Sequence, residues 1–191
     1  MDILRIQMLR EQENKSAFEL AIDMAPQTEA PNEAIRRCME FLESHQVCCE
    51  CLQTLRLAIS EAIANALEHG IFRLPSALKE DLFYSRVDWL NEKMAESDQG
   101  QVTLNLKLMF GEDSPQEINA VKVEVTDSGP GFDWRTYLKD HTMPPAEKIY
   151  GRGLALIRLY ASHLSFNEKG NSIQFVIPCQ RDSADSNCPS K

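Results

Sequence analysis

Three short stretches of the chain combine residue types that could do chemistry. In LAISEAIANALEHG (57–70), Glu61, Asn65 and His69 recur at steps of four through an apolar, helix-favouring run. On a helix a step of four displaces side chains by only about 40°, so a carboxylate, an amide and an imidazole share one drifting stripe, with Glu68 beside it. Next to an apolar face such a stripe must meet water, a partner or a ligand, because unpaired buried polar groups cost on the order of several kcal/mol. Taken alone, it also reads as the polar boundary of an amphipathic helix.

The second stretch is VKVEVTDSGPGF (121–132). Val121, Val123 and Val125 share one face of a strand, and Asp127 has their parity. If the strand persists, that carboxylate points towards the core and needs a specific donor. A ligand with an exocyclic amine, such as adenine, suits it. Gly129 and Gly131 permit positive φ or a close backbone approach. A surface turn capped by Asp127 is the simpler alternative. The third stretch, YGRGLALIRLY (150–160), leads two glycines into a helix. A helix N-terminus offers free N–H donors and partial positive charge, which suits phosphate, and Arg152 adds a cation. It is neither a P-loop nor a dinucleotide fingerprint, because no Gly-Lys-Ser/Thr and no third glycine follow.

The elements that must position these residues follow from periodicity. Phe18, Leu20 and Ile22 alternate, which predicts a strand near 17–24 ended by Pro26. Ile35, Met39 and Leu42 predict a helix over 32–44. Leu52, Leu55, Ile59, Ile63 and Leu67 predict another over 49–69, with Gly70 as its stop. A helical pattern runs through Leu78, Leu82, Tyr84, Val87 and Leu90. Strands are predicted at 102–110 and 118–127. Residues 133–150 hold two prolines and read as a loop. A helix over 153–164 then runs into strands near 163–168 and 172–178. The sum is an α/β (α+β) two-layer sandwich, a mixed, mostly antiparallel sheet with helices on one face. It forms one domain over 16–178, after a charged lead-in (1–15) and before a flexible polar tail (179–191).

Composition bounds the function. The net charge of −9 argues against direct nucleic-acid binding. No run of about 18 apolar residues is present to span a membrane, and the first residues lack an apolar signal core. The expectation is an unprocessed, cytoplasmic protein. Cys38, Cys48, Cys49 and Cys51 cluster near His45, but HQVCCEC lacks the paired spacing of zinc ribbons. They read as small, partly buried thiols ahead of a metal site or a redox centre.

The order of the three stretches resembles the GHKL ATPase superfamily, which includes histidine kinases, gyrase, mismatch-repair proteins and a heat-shock chaperone. SEAIANALEHG is similar to its N box, DSGPGF to its first glycine box and GRGLALI to its second. The form of the N box and the ending FNEKGNSIQFVIP are most similar to anti-sigma-factor serine kinases. The resemblance implies ATP and Mg²⁺ as cofactors. It implies Asn65 as the Mg²⁺ ligand, Glu61 as general base, and His69 in a supporting role. It further implies Asp127 on the adenine amine, Gly129 and Gly131 beside the nucleotide, and Gly151, Arg152 and Gly153 facing the phosphates. Residues 132–150 would be a lid, and the segment 71–100 an insertion longer than the family's turn. The implied function is an ATP-dependent serine/threonine protein kinase in a bacterial partner-switching pathway. Its partners would be a small anti-sigma-factor antagonist protein as substrate and a sigma factor, with a homodimer as an option. The alternative is a catalytically silent ATP-binding regulatory module that sequesters a protein partner.

Overall fold

A computed structural model describes residues 4–9, 18–74, 83–96, 99–112, 115–139 and 153–179. Period-two alternation builds the sheet. Its strands are β1 (Leu4–Leu9), β2 (Glu19–Met24), β3 (Val102–Phe110), β4 (Ile118–Asp127), β5 (His163–Phe166) and β6 (Ser172–Pro178). They lie in the order β1-β2-β3-β4-β6-β5. Pairing aligns Ile22, Leu104, Val125 and Ile173 in one row and Leu20, Leu106, Val123 and Phe175 in the next. All eight are buried, so one face of the sheet is the core. A one-residue slip would send every one of them to the opposite face, which fixes the register. That opposite face is polar: Thr103 Oγ1 donates to Asp23 Oδ1 at 2.9 Å and Thr126 Oγ1 to Ser172 Oγ at 2.7 Å.

Every strand pair among the described residues is antiparallel, so the expected mixed sheet narrows to an antiparallel one. Short connections favour this for β3–β4 and β5–β6, while β2–β3 and β4–β6 are joined by longer segments that carry the helices. The β5–β6 turn is held by Asn167, whose Oδ1 accepts from Gly170 N–H at 2.7 Å, with Gly170 at φ +77°. The lead-in contributes an unexpected edge strand: Ile6 stands opposite Ile22 in β1.

The helices are α1 (Ala30–Ser44), α2 (Cys49–Asn65), α3 (Phe83–Glu96), α4 (Trp134–Lys139) and α5 (Gly153–Tyr160). From α2, Leu55, Ile59 and Ile63 enter the core, each stabilising by about 1.5–3 kcal/mol. Leu52 is only partly buried. Three expectations are corrected. The α-helix expected over 49–69 ends at Asn65 and continues as a π-helical turn, Ala66–Ile71, so Gly70 lies inside a turn rather than after it. The helix expected over 153–164 stops at Tyr160, because residues from His163 pair with β6. Within the expected loop 133–150, Asp133 starts α4: its Oδ1 accepts from Thr136 N–H at 3.2 Å and its Oδ2 from Thr136 Oγ1 at 2.6 Å. Residues 140–150 of the expected lid, 75–82 and 97–98 of the 71–100 segment and the tail from 180 lie outside the described residues.

Candidate functional site

The π turn shapes one end of the site. Phe72 N–H donates to Leu67 O at 2.8 Å, an i→i+5 bond that widens the helix. The widened turn lays Gly70 against the end of β4. A Cβ at Gly70 would stand 2.4 Å from Asp127 Cγ, and one at Gly129 would stand 2.1 Å from Gly70 O. No side chain fits at either position. Gly131, at φ +82°, is closed in the same way, since its Cβ would meet Lys169 O at 2.0 Å.

Asp127 lies opposite buried Val102, with the parity of Val125, so its side chain is on the helix-covered face as its position in the sequence predicts. Asp127 N–H donates to Asn171 O at 2.9 Å, and Asn171 Nδ2 donates back to the Asp127 carbonyl. The carboxylate Oδ1 accepts the Gly129 N–H at 2.7 Å. Burial pushes this carboxyl above its ordinary value, and the Gly129 N–H draws it partly back. A desolvated carboxylate with one oxygen committed is suited to take a donor from a ligand on the other.

The opposite end forms where α5 meets α2. A Cβ at Gly153 would stand 2.5 Å from Glu61 Oε2 and 3.2 Å from Asn65 Nδ2. One turn of α2 thus presents a carboxylate and an amide to the first residue of α5. Asn65 Nδ2 is buried and has no hydrogen-bond partner among the described residues. An orphaned polar atom costs about 1–3 kcal/mol, which a ligand would relieve. Gly151 and Arg152 lie outside the described residues.

Between the two ends lies a cavity of about 430 Å³. Of the residues predicted from the sequence, Asn65, His69, Asp127 and Gly131 line it, while Glu61, Gly129 and Gly153 stand outside its walls. His69 lines it on the same side of the helix as Asn65. Leu74, Phe132, Leu154, Phe166 and Asn171 also line it, as does Arg73, and none of these was predicted as a site residue. Phe132 and Phe166 meet edge to face with centroids 5.4 Å apart, and Trp134 stacks on Phe166 at 5.9 Å. The aromatics come together through the β5–β6 hairpin, so only the glycine-flanked Phe132 carried a local signal.

Apolar walls with few polar groups, at this volume, suit a nucleotide-sized ligand. The Asp127 end fits an adenine amine. The orphaned Asn65 Nδ2 is a donor that fits a phosphate oxygen, and the amide oxygen of the same side chain is the atom that would serve Mg²⁺, which takes one or two protein oxygens and fills its shell with phosphates and water. Among the described residues no three His, Cys, Asp or Glu side chains converge to hold a metal by themselves, the cysteine cluster included. No helix among the described residues is long and apolar enough to cross a membrane.

A comparison with curated proteins gives no match. A family model described as the histidine kinase-like ATPase domain matches residues 24–177. The matched span runs from the end of β2 to the end of β6 and holds both ends of the cavity. On that match, which covers most of the sequence, the chain belongs to the histidine kinase-like ATPase family and is an ATP-binding module of the GHKL type.

Proposed function

We propose that this module is an ATP-dependent serine/threonine protein kinase of the anti-sigma-factor type. It acts in the cytoplasm on a small antagonist protein in a partner-switching pathway, with a sigma factor as a second partner. The observation that carries the reading is the convergence of Glu61 and Asn65 on Gly153. Phosphoryl transfer needs a base, a metal ligand and a backbone that admits phosphate, and this junction offers a candidate for each.

When bound, ATP supplies the phosphoryl group and Mg²⁺ neutralises charge on its oxygens. Asp127 accepts from the adenine amine and sets the orientation of the base. Asn65 holds the metal through its amide oxygen. Gly153 keeps the start of α5 free of a side chain, so backbone N–H groups stay open to phosphate. Glu61 takes the proton of the attacking serine or threonine hydroxyl.

A second reading is an ATP-binding regulator that sequesters its partner without transfer. The position of Glu61 outside the cavity wall favours it. Incubation with labelled ATP and a candidate antagonist protein separates the two. Transfer to a serine or threonine of the antagonist, lost in Glu61→Ala, supports the kinase. ATP-dependent complex formation with no transfer supports the regulator.

A further inference from the structure

Away from the nucleotide cavity, three thiols meet where α2 begins and β6 ends. Cys48 caps α2, its Sγ accepting the Cys51 N–H at 3.4 Å. Cys51 lies in the first turn, with Sγ 3.8 Å from the carbonyl of Pro178, the residue before Cys179. The Cys179 thiol in turn donates to the Ile177 carbonyl at 3.8 Å. All three are reduced in the structure. We propose that they form a peroxide-reactive centre in which Cys179 is the oxidised thiol and Cys51 closes the disulfide.

Two features assign the roles. Within the chain of thiols, the Cys51 S–H supports negative charge on Cys179 and draws its pKa below the ordinary value. Burial pushes Cys48 up to about 11, and the neighbouring Cys179 raises the Cys51 thiol. Cys179 is also reachable, although it is only 5% exposed. A cavity of about 370 Å³, lined by Cys48, Cys179, His45, Asn119 and Glu117, opens onto it. The Glu117 carboxylate disfavours anionic oxidants, so a small neutral hydroperoxide fits best. Cys38 is fully buried in the core, with its thiol pushed up to about 12, and serves as an internal unreactive control.

The reaction balances with hydrogen peroxide as oxidant. The Cys179 thiolate attacks one peroxide oxygen, the O–O bond breaks, and the departing hydroxide takes a proton to become water. Cys179 is then a sulfenic acid. Cys51 attacks that sulfur, its proton passes to the departing oxygen, the S–O bond breaks and a second water leaves. Two thiols become one disulfide, and one peroxide becomes two waters. The bond ties the start of the helix that carries Glu61 and Asn65 to the end of the strand beside β4.

The test exposes the full-length protein to hydrogen peroxide, removes the excess with catalase, and maps thiols by non-reducing peptide mass spectrometry. The expected product is about 2 Da lighter, carries a Cys51–Cys179 cross-link, and reverts with dithiothreitol. Cys51→Ser should stop at a Cys179 sulfenic acid that dimedone traps. Cys179→Ser should slow peroxide consumption by about tenfold or more. Because a buried serine can disturb folding, the unaltered protein is also oxidised in urea, where the preference for the Cys51–Cys179 pair should vanish. Intact thiols in the oxidised folded protein, a Cys48–Cys51 bond without Cys179, or the same pairing in urea would overturn the proposal.

Discussion

The two ends of the cavity are built from different contacts. At the Asp127 end, backbone meets backbone: a Cβ at Gly129 would strike the Gly70 carbonyl and one at Gly131 the Lys169 carbonyl, while Gly70 itself packs on the Asp127 carboxylate. At the Gly153 end, backbone meets the tips of two side chains, Glu61 and Asn65. The first end cannot adjust, which suits recognition of a flat base by one fixed carboxylate. The second can adjust by rotamer, which suits groups whose charge and partners change during a reaction. The same difference decides what substitutions should do at each end.

The largest expected effect lies at the adjustable end. As a base, Glu61 acts on a hydroxyl proton and contributes little to ground-state affinity. Glu61→Ala should lower phosphoryl transfer by about 10²–10⁴ while ATP affinity changes by less than about twofold. On the proposed reading Asn65→Ala removes the metal ligand, so Mg²⁺-ATP binding and turnover should fall together. Titration calorimetry beside a transfer assay checks both. Loss of affinity in step with rate in Glu61→Ala would remove the distinction between the two ends.

One substitution made at both ends sharpens the comparison. Gly129→Ala drives a methyl into the Gly70 carbonyl, and backbone cannot yield cheaply. The fold should lose about 1–3 kcal/mol, and ATP binding should weaken with it. Gly153→Ala meets only side-chain tips, so stability should fall by less than about 1 kcal/mol while transfer drops more steeply. Denaturant unfolding of both variants measures the contrast. Equal losses of stability would mean that the Gly153 end is as rigid as the other.

Much of this contrast was legible in the sequence. Alternation gave β3 and β6 to the residue, and parity placed Asp127 on the core face before any register was known. The step of four brought Asn65 and His69 to one cavity. The π turn was not legible, because over six residues an i→i+4 and an i→i+5 helix carry the same apolar pattern. Gly70 therefore looked like a stop, when its missing side chain admits Asp127. The Asp133 cap was readable in DWRT, but the later prolines pulled the whole segment towards a loop. In β1, Arg5 and the charges that follow hid the alternation of Leu4, Ile6 and Met8. The partnership of Phe132 with Phe166 depends on a hairpin placed by topology, which no local pattern encodes.

A smaller effect is expected from Asp127→Asn, which keeps the shape but turns an acceptor oxygen into a donor amide facing the adenine amine. ATP affinity should weaken by about 1–3 kcal/mol, and the preference for ATP over GTP should shrink. Equal binding of ATP and GTP by the unaltered protein would count against the recognition role of this end.

The smallest effect concerns the same carboxyl without nucleotide, and its sign is opposite. Burial raises the Asp127 pKa in the folded state above the ordinary aspartate value of 3.8. The folded protein therefore holds this proton more tightly than the unfolded chain does. At neutral pH the carboxylate is charged in both states but desolvated only in the folded one, so it opposes folding there. As pH falls through the folded-state pKa the group protonates and the opposition fades. Asp127→Asn should thus raise the melting temperature of the nucleotide-free protein slightly at neutral pH, with the difference closing in acid. Nucleotide reverses the balance, because an amine donor favours the ionised form. ATP affinity of the unaltered protein should be greatest above the pKa of the free carboxyl and decline as pH falls through it, while the Asn variant stays flat across that window. Melting curves and ATP titrations from acid to neutral pH, on both proteins, provide the check. A variant that melts lower than the parent at neutral pH would mean that Asp127 braces the fold through Gly129 rather than standing desolvated for a ligand.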